Sequence, residues 1–277
     1  MININKLNFA YAGGSLVLDA LSAEFPPGMV HAILGSNGAG KSTLLNLMAG
    51  LVRPSQGQMT VGNADPFARE PATLADIAML PEELPQSRLD IRAHADLYAP
   101  FWPRFSRELF EDILQCFDVP VGQPMSALSF GQHKKALLAF VLATRARLLL
   151  LDEPLNGLDI DAKAELRRLL LDAVSEDSTL IIATHNVREF EGLLDHVSIL
   201  CRQRFVLHAD IHALSEKLAF VTGRETPSNT IHAEPRAGGY AYLLPGDGRH
   251  TQPDLELLYQ AVLANPDRFT LAGDIQS

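Results

Sequence analysis

Nine consecutive residues carry the most specific chemistry in the chain: Gly35-Ser36-Asn37-Gly38-Ala39-Gly40-Lys41-Ser42-Thr43. They fit G-x-x-x-x-G-K-[ST], the pattern of a loop that wraps a phosphate chain. Glycine lets the backbone fold tightly around an anion and point several N–H groups inward. A helix starting at the end of the loop adds its positive pole. Lys41 then reaches the β- and γ-phosphates of a nucleotide, and Ser42 holds Mg²⁺. The competing reading is a plain glycine-rich turn.

Two further groups lie downstream. Leu148-Leu149-Leu150-Leu151-Asp152-Glu153 sets two carboxylates at the end of an apolar run. Alone, that is most simply a solvated strand end. Behind a phosphate loop, Asp152 reads as a contact to Mg²⁺ through water, and Glu153 as the general base that polarises an attacking water. Leu128-Ser129-Phe130-Gly131-Gln132, taken alone, is a helix start with Ser129 as N-cap and Gln132 at the capping-box position.

In this order the three groups resemble the ATP-binding cassette (ABC) family, whose signature is L-S-G-G-Q. The resemblance covers about residues 1–210. It implies that Tyr11 stacks on adenine, although a strand-edge tyrosine would look the same. It implies that Asn156-Gly157-Leu158-Asp159 is the loop passing between two nucleotide sites. His185 matches the switch histidine that contacts the γ-phosphate; alone it would be an ordinary strand-end residue. The family pairs two cassettes head to tail around ATP and Mg²⁺. Ser129, Gly131 and Gln132 would then serve the nucleotide bound by the opposite subunit, in a homodimer or a heterodimer with a second cassette.

Two positions depart from the family pattern. Glu82 stands where a glutamine is usual; it keeps an oxygen for Mg²⁺ but lacks the amide donor. Phe130 replaces the first glycine of the signature pair. Either it faces outward, or it must take a positive φ and is strained.

These residues require a scaffold. Apolar runs and turn residues predict strands at 2–9, 18–25, 29–34 and 58–61, with a helix over 41–49 and Gly50 as its cap. The region 89–144 reads as mostly helical. Residues 146–151 and 180–183 read as parallel strands buried on both faces, with a helix over 162–173 between them. Strands at 197–200 and 204–207 would finish the sheet. The expected fold class is α/β: a P-loop NTPase core, an N-terminal antiparallel β-subdomain and a helical insert (about 86–144) carrying the signature. The expected organisation is an ATPase domain over 1–214 and a small accessory region over 215–277, with one clear helix at 254–265.

Tyr98, Phe101, Trp102, Phe105, Phe110 and Phe117 cluster in the helical region. Either they pack that region's own core, or some line a groove for a helix of a membrane subunit. The run from Tyr98 to Phe105 is similar to a stretch of single-cassette ATPases that serve exporter-type permeases on separate chains.

The 277 residues are 47% hydrophobic and 20% charged, with a net charge of −10, as suits a globular protein and not a nonspecific nucleic-acid binder. Cys116 and Cys201 match no metal spacing and suggest a reducing compartment. No apolar run approaches the ~20 residues that span a bilayer, and the start lacks a secretion signal. The expected location is cytoplasmic, on the inner face of the membrane through an integral membrane permease, with no nucleic acid bound. The alternative is a soluble regulatory or nucleic-acid-linked cassette ATPase; a third possibility is a cassette that binds ATP without hydrolysing it. His208 and His212 have the spacing of some zinc sites, but no further ligand cluster accompanies them.

Overall fold

The structure is a computed structural model; residues 1–246, 248 and 251–271 are described. Its centre is a six-stranded sheet. In chain order its strands are β3 (Val30–Leu34), β5 (Ile77–Leu80), β6 (Leu148–Asp152), β7 (Thr179–Thr184), β8 (His196–Cys201) and β9 (Arg204–Asp210), and in space β5-β6-β7-β3-β8-β9. All pairs are parallel except β8–β9. β3, β6 and β7 are buried at every position, because helices cover one face and a second sheet the other.

That second sheet is antiparallel, in the order β2-β1-β4, with β1 at Ile2–Ala10, β2 at Leu16–Phe25 and β4 at Gln56–Val61. It encloses α1 (Lys41–Met48) in an apolar cluster with Phe25, Leu150 and Ile181. A larger cluster fills the opposite face. There α3 (Ile91–Tyr98), α4 (Arg107–Cys116) and α5 (Phe130–Ala143) form the helical insert, and α6 (Ile160–Ala173) connects β6 to β7. Short α2 (Pro71–Leu74) precedes β5.

Two segments differ from the sequence reading. Edge strand β5, with Met79 and Leu80, has no counterpart among the strands expected from the sequence. Four residues give too short a run for a periodicity to show. In the tail, α7 (Ile211–Lys217) leads into a third sheet of β10 (Leu218–Gly223), β11 (His232–Arg236) and β12 (Gly239–Pro245), ordered β10-β12-β11. Its composition, rich in Gly, Pro and polar residues, concealed these strands. The tail helix α8 (Leu255–Ala264) buries Leu255, Leu257, Leu258 and Val262 in the same cluster as the helical insert, so its apolar stripe is intramolecular packing. Arg188 and Arg236 both pair with Glu256 on this helix. Residues 272–277 of the expected accessory region lie outside the described residues.

The aromatic cluster divides. Phe110 and Phe117 are core, and Phe105 packs on them. Trp102 packs edge-on against Phe140 and donates Nε1–H to the Ile77 carbonyl at 2.9 Å. Leu97, Tyr98 and Phe101 are left exposed, Phe101 at 66%.

His208 sits inside β9 rather than at its end, packed between His196 and Phe25, with ring centroids 4.3 and 5.1 Å away; His31 completes the group, 5.2 Å from His196. Burial holds His31 down to about 4 and His196 to about 3, and lowers His208. In the unfolded chain these imidazoles titrate near 6.5. Below that pH the unfolded state binds protons that the folded state refuses. Stability is therefore full above about pH 6.5 and falls as pH drops toward the folded values, by roughly 2 kcal/mol each for His31 and His196 at pH 5. The thermal midpoint should decline steadily between pH 7 and 5, and His196→Phe should flatten that decline. A midpoint independent of pH over this range would contradict the account.

Candidate active site

The phosphate loop connects β3 to α1 at the carboxyl edge of the main sheet, where open α/β sheets receive ligands. Gly38 and Gly40 have φ of +78° and +106°, conformations closed to most side chains. A Cβ on Gly40 would lie 2.8 Å from Leu18 Cδ2, so the glycine also permits β2 to pack against the loop. Lys41 is buried and donates Nζ–H to the carbonyls of Gly35 (2.8 Å) and Ser36 (3.3 Å). Thr43 Oγ1 meets the Tyr11 hydroxyl at 3.1 Å. Tyr11 stands edge-on to Phe9 with half its surface exposed, beside the start of α1 and open to a stacking base.

Asp152 ends β6, 1% exposed, with Oδ1 lacking any hydrogen-bond partner. Burial raises its pKa to about 6, the Ser42 hydroxyl acts against that rise, and the charges of Glu82 and Glu153 add to it. An orphaned carboxylate oxygen beside a Ser hydroxyl fits Mg²⁺, a hard cation that takes oxygen ligands. Among the described residues, no group of three His, Cys, Asp or Glu side chains converges to hold a metal alone. Glu82 is exposed, close enough to act on Asp152 electrostatically.

Glu153 is the most constrained residue of the site. Its φ is +46°, the left-handed region, which costs a side-chain-bearing residue about 1–3 kcal/mol. Its carboxylate accepts from Thr184 Oγ1 at 3.0 Å and from the backbone N–H of His185 at 2.9 Å. His185 Nδ1 lies 2.6 Å from Oε1, and Lys41 Nζ 3.9 Å from it. Lys41, Glu153 and His185 are thus brought together from three elements. The His185 ring remains half-exposed. Thr184, next to His185, is the holder of the carboxylate that sequence reasoning missed; its adjacency was the available signal.

The signature residues stand apart, at the start of α5. Ser129 accepts from the Gln132 N–H at 3.3 Å, and the Gln132 side chain accepts from the Ser129 N–H at 3.1 Å, a complete capping box. The helix-start reading of these residues is thus seen in the structure. Ser129 is exposed, with Gly131 and Gln132 half-buried. Phe130 is the first helical residue, half-exposed and free of positive φ; its ring lies on Gly157, where a Cβ would come within 2.5 Å of ring carbons.

The family profile described as ABC transporter matches residues 18–156, half of the chain. An ABC transporter ATP-binding protein of Streptomyces coelicolor is 38% identical over 181 residues, which cover 63% of this chain and 32% of that one. The chain thus spans about a third of the length of the first curated relatives it matches. An aliphatic sulfonates import ATP-binding protein of Mesorhizobium japonicum is 31% identical over 204 residues, covering 72% of this chain and 75% of the relative. Among solved structures, a dimeric ATP-binding cassette bound to ADP and Pi superposes with a TM-score of 0.66 at 20% identity, covering 76% of this chain and 98% of that one. A shared fold, a profile match over half its length and the ordered loop, signature and acidic strand end identify the chain as a member of the ABC transporter family.

Proposed function

We propose that this chain is an ATPase subunit that dimerises around ATP and drives transport through a separate integral membrane permease. The observation that carries the reading is the meeting of Lys41 and His185 at Glu153 Oε1, the first at an ion-pair distance of 3.9 Å and the second hydrogen-bonded at 2.6 Å, beside Asp152 and Ser42. The phosphate loop binds the triphosphate through its backbone N–H groups and Lys41. Bound at Ser42 and Asp152, with Glu82 nearby, Mg²⁺ supplies charge neutralisation on the phosphate oxygens. Glu153 accepts the proton of the attacking water, and His185 contacts the γ-phosphate.

The exposed signature is the other half of the proposal. Ser129 and Gly131 lie at a helix start, which favours an anion. In a head-to-tail pair they close the nucleotide held by the partner, so one chain carries two half-sites. The pair is homomeric, or formed with a second cassette. The exposed edge of Leu97, Tyr98 and Phe101 is where the permease docks. We assign export as the direction because the run from Tyr98 to Phe105 is similar to that of exporter-type cassettes. Family membership does not set the direction, since the Mesorhizobium relative bears an import name. No helix among the described residues is long and apolar enough to cross a membrane; attachment to the inner face of the membrane is through the permease.

Affinity capture from detergent-solubilised membranes should recover a multispanning protein together with Mg²⁺-dependent ATPase activity. Recovery of ribosomes or DNA without a membrane protein would replace transport with the nucleic-acid-linked alternative.

A further inference from the structure

Lys134 lies at the start of the second turn of α5 with 0% of its surface exposed. Its Nζ donates to the backbone carbonyl of Glu153 at 2.7 Å and sits 5.1 Å from the centroid of the Phe130 ring. Burial lowers its pKa, against the pull of Glu153, Glu82 and Asp152. Burying an ammonium is costly, and methionine would fill a similar volume without that cost. Packing therefore does not account for a lysine here.

The carbonyl it holds belongs to a residue with left-handed backbone. Such conformations persist only where the surroundings over-determine them. The Glu153 N–H is fixed by the Ala183 carbonyl at 2.9 Å, and its carboxylate by Thr184 and His185. On the carbonyl side, Lys134 is joined by the Asn156 N–H at 3.2 Å, the longer of the two bonds. The first two turns of α5 touch the same loop at two further places. Lys135 Nζ donates to Asp159 Oδ2 at 2.7 Å, and Phe130 and Gly131 close on Gly157, whose carbonyl oxygen would lie 2.7 Å from a Cβ on Gly131.

We infer that Lys134 is a positioning residue for hydrolysis: its ammonium fixes the backbone of Glu153 and so ties the signature helix to the general base of the same chain. This rests on the ATPase reading above. In a head-to-tail dimer the signature closes the partner's nucleotide, whereas Glu153 serves the chain's own. A shift of α5 on engaging the partner's γ-phosphate is passed through Lys134 to Glu153, so each site senses the occupancy of the other.

Lys134→Met and Lys134→Arg test this in the full chain, assayed with its permease. For Lys134→Met, kcat should fall about 10- to 100-fold, the scale of a small misplacement of a catalytic group. The KM for ATP should stay within about threefold, and the thermal midpoint should hold or rise as the buried charge is removed. Lys134→Arg should recover part of kcat. Without nucleotide, amide hydrogen exchange over residues 153–158 should be about tenfold faster in Lys134→Met than in wild type. The inference is overturned by a Lys134→Met kcat within about twofold of wild type, by kcat and thermal midpoint falling together without rescue by Arg, or by unchanged exchange over 153–158. A wild-type chain inert toward Mg-ATP even beside its permease would instead refute the ATPase reading. The exchange measurement then decides the Lys134–Glu153 link alone.

Discussion

Glu153→Gln should lower ATP turnover by about 10²–10⁴-fold, the range for removing a general base. Binding should survive, and the reason is local. Oε1 accepts the His185 N–H and faces His185 Nδ1, whereas Oε2 faces only the Thr184 hydroxyl. A glutamine can put its oxygen toward His185 and its NH₂ toward Thr184, whose hydroxyl already accepts from the Asn186 N–H and can turn to accept again. The substitution thus removes the base while leaving the hydrogen-bonded frame in place. With Mg-ATP the variant should accumulate as a stable dimer, visible by size-exclusion chromatography with light scattering, because the reaction that dissolves the pair is blocked. Turnover that persists in this variant removes Glu153 from the role of base.

Lys41→Ala should act at the preceding step. A charge-assisted hydrogen bond to phosphate contributes about 1.5–3 kcal/mol, so ATP affinity should drop by roughly 10- to 150-fold in a calorimetric titration with Mg-ATP. The same ammonium donates to the Gly35 and Ser36 carbonyls. The substitution therefore also loosens the loop, and faster amide exchange over residues 35–41 should accompany the loss of affinity. Affinity within threefold of wild type would mean that the loop does not bind the triphosphate through Lys41.

The parts of the site legible in the sequence are those where chemistry restricts residue type over a short span. A backbone cradle needs Gly38 and Gly40, and a buried strand end with two carboxylates announces itself by the contrast of Leu151 with Asp152. The main sheet apart from its edge strand β5 was legible for a related reason, since strands buried on both faces leave continuous apolar runs. The third sheet left no such trace: β11 carries Pro235 and no fully buried residue, and β10 ends in Thr222 and Gly223. The left-handed backbone of Glu153 has no sequence signal at all, because the residue type argues against it and tertiary contacts impose it. Phe130 was open to two readings, and the outcome depended on Gly157, a neighbour 27 positions away whose missing side chain leaves room for the ring. Lys134 carries no sequence signal; only its burial against a carbonyl distinguishes it.

Lys41 and His185 both reach Oε1 of Glu153, one at 3.9 Å and the other at 2.6 Å. Displacing either partner strips an attachment from that same atom, so the phosphate loop, the end of β6 and the end of β7 cannot shift independently of one another.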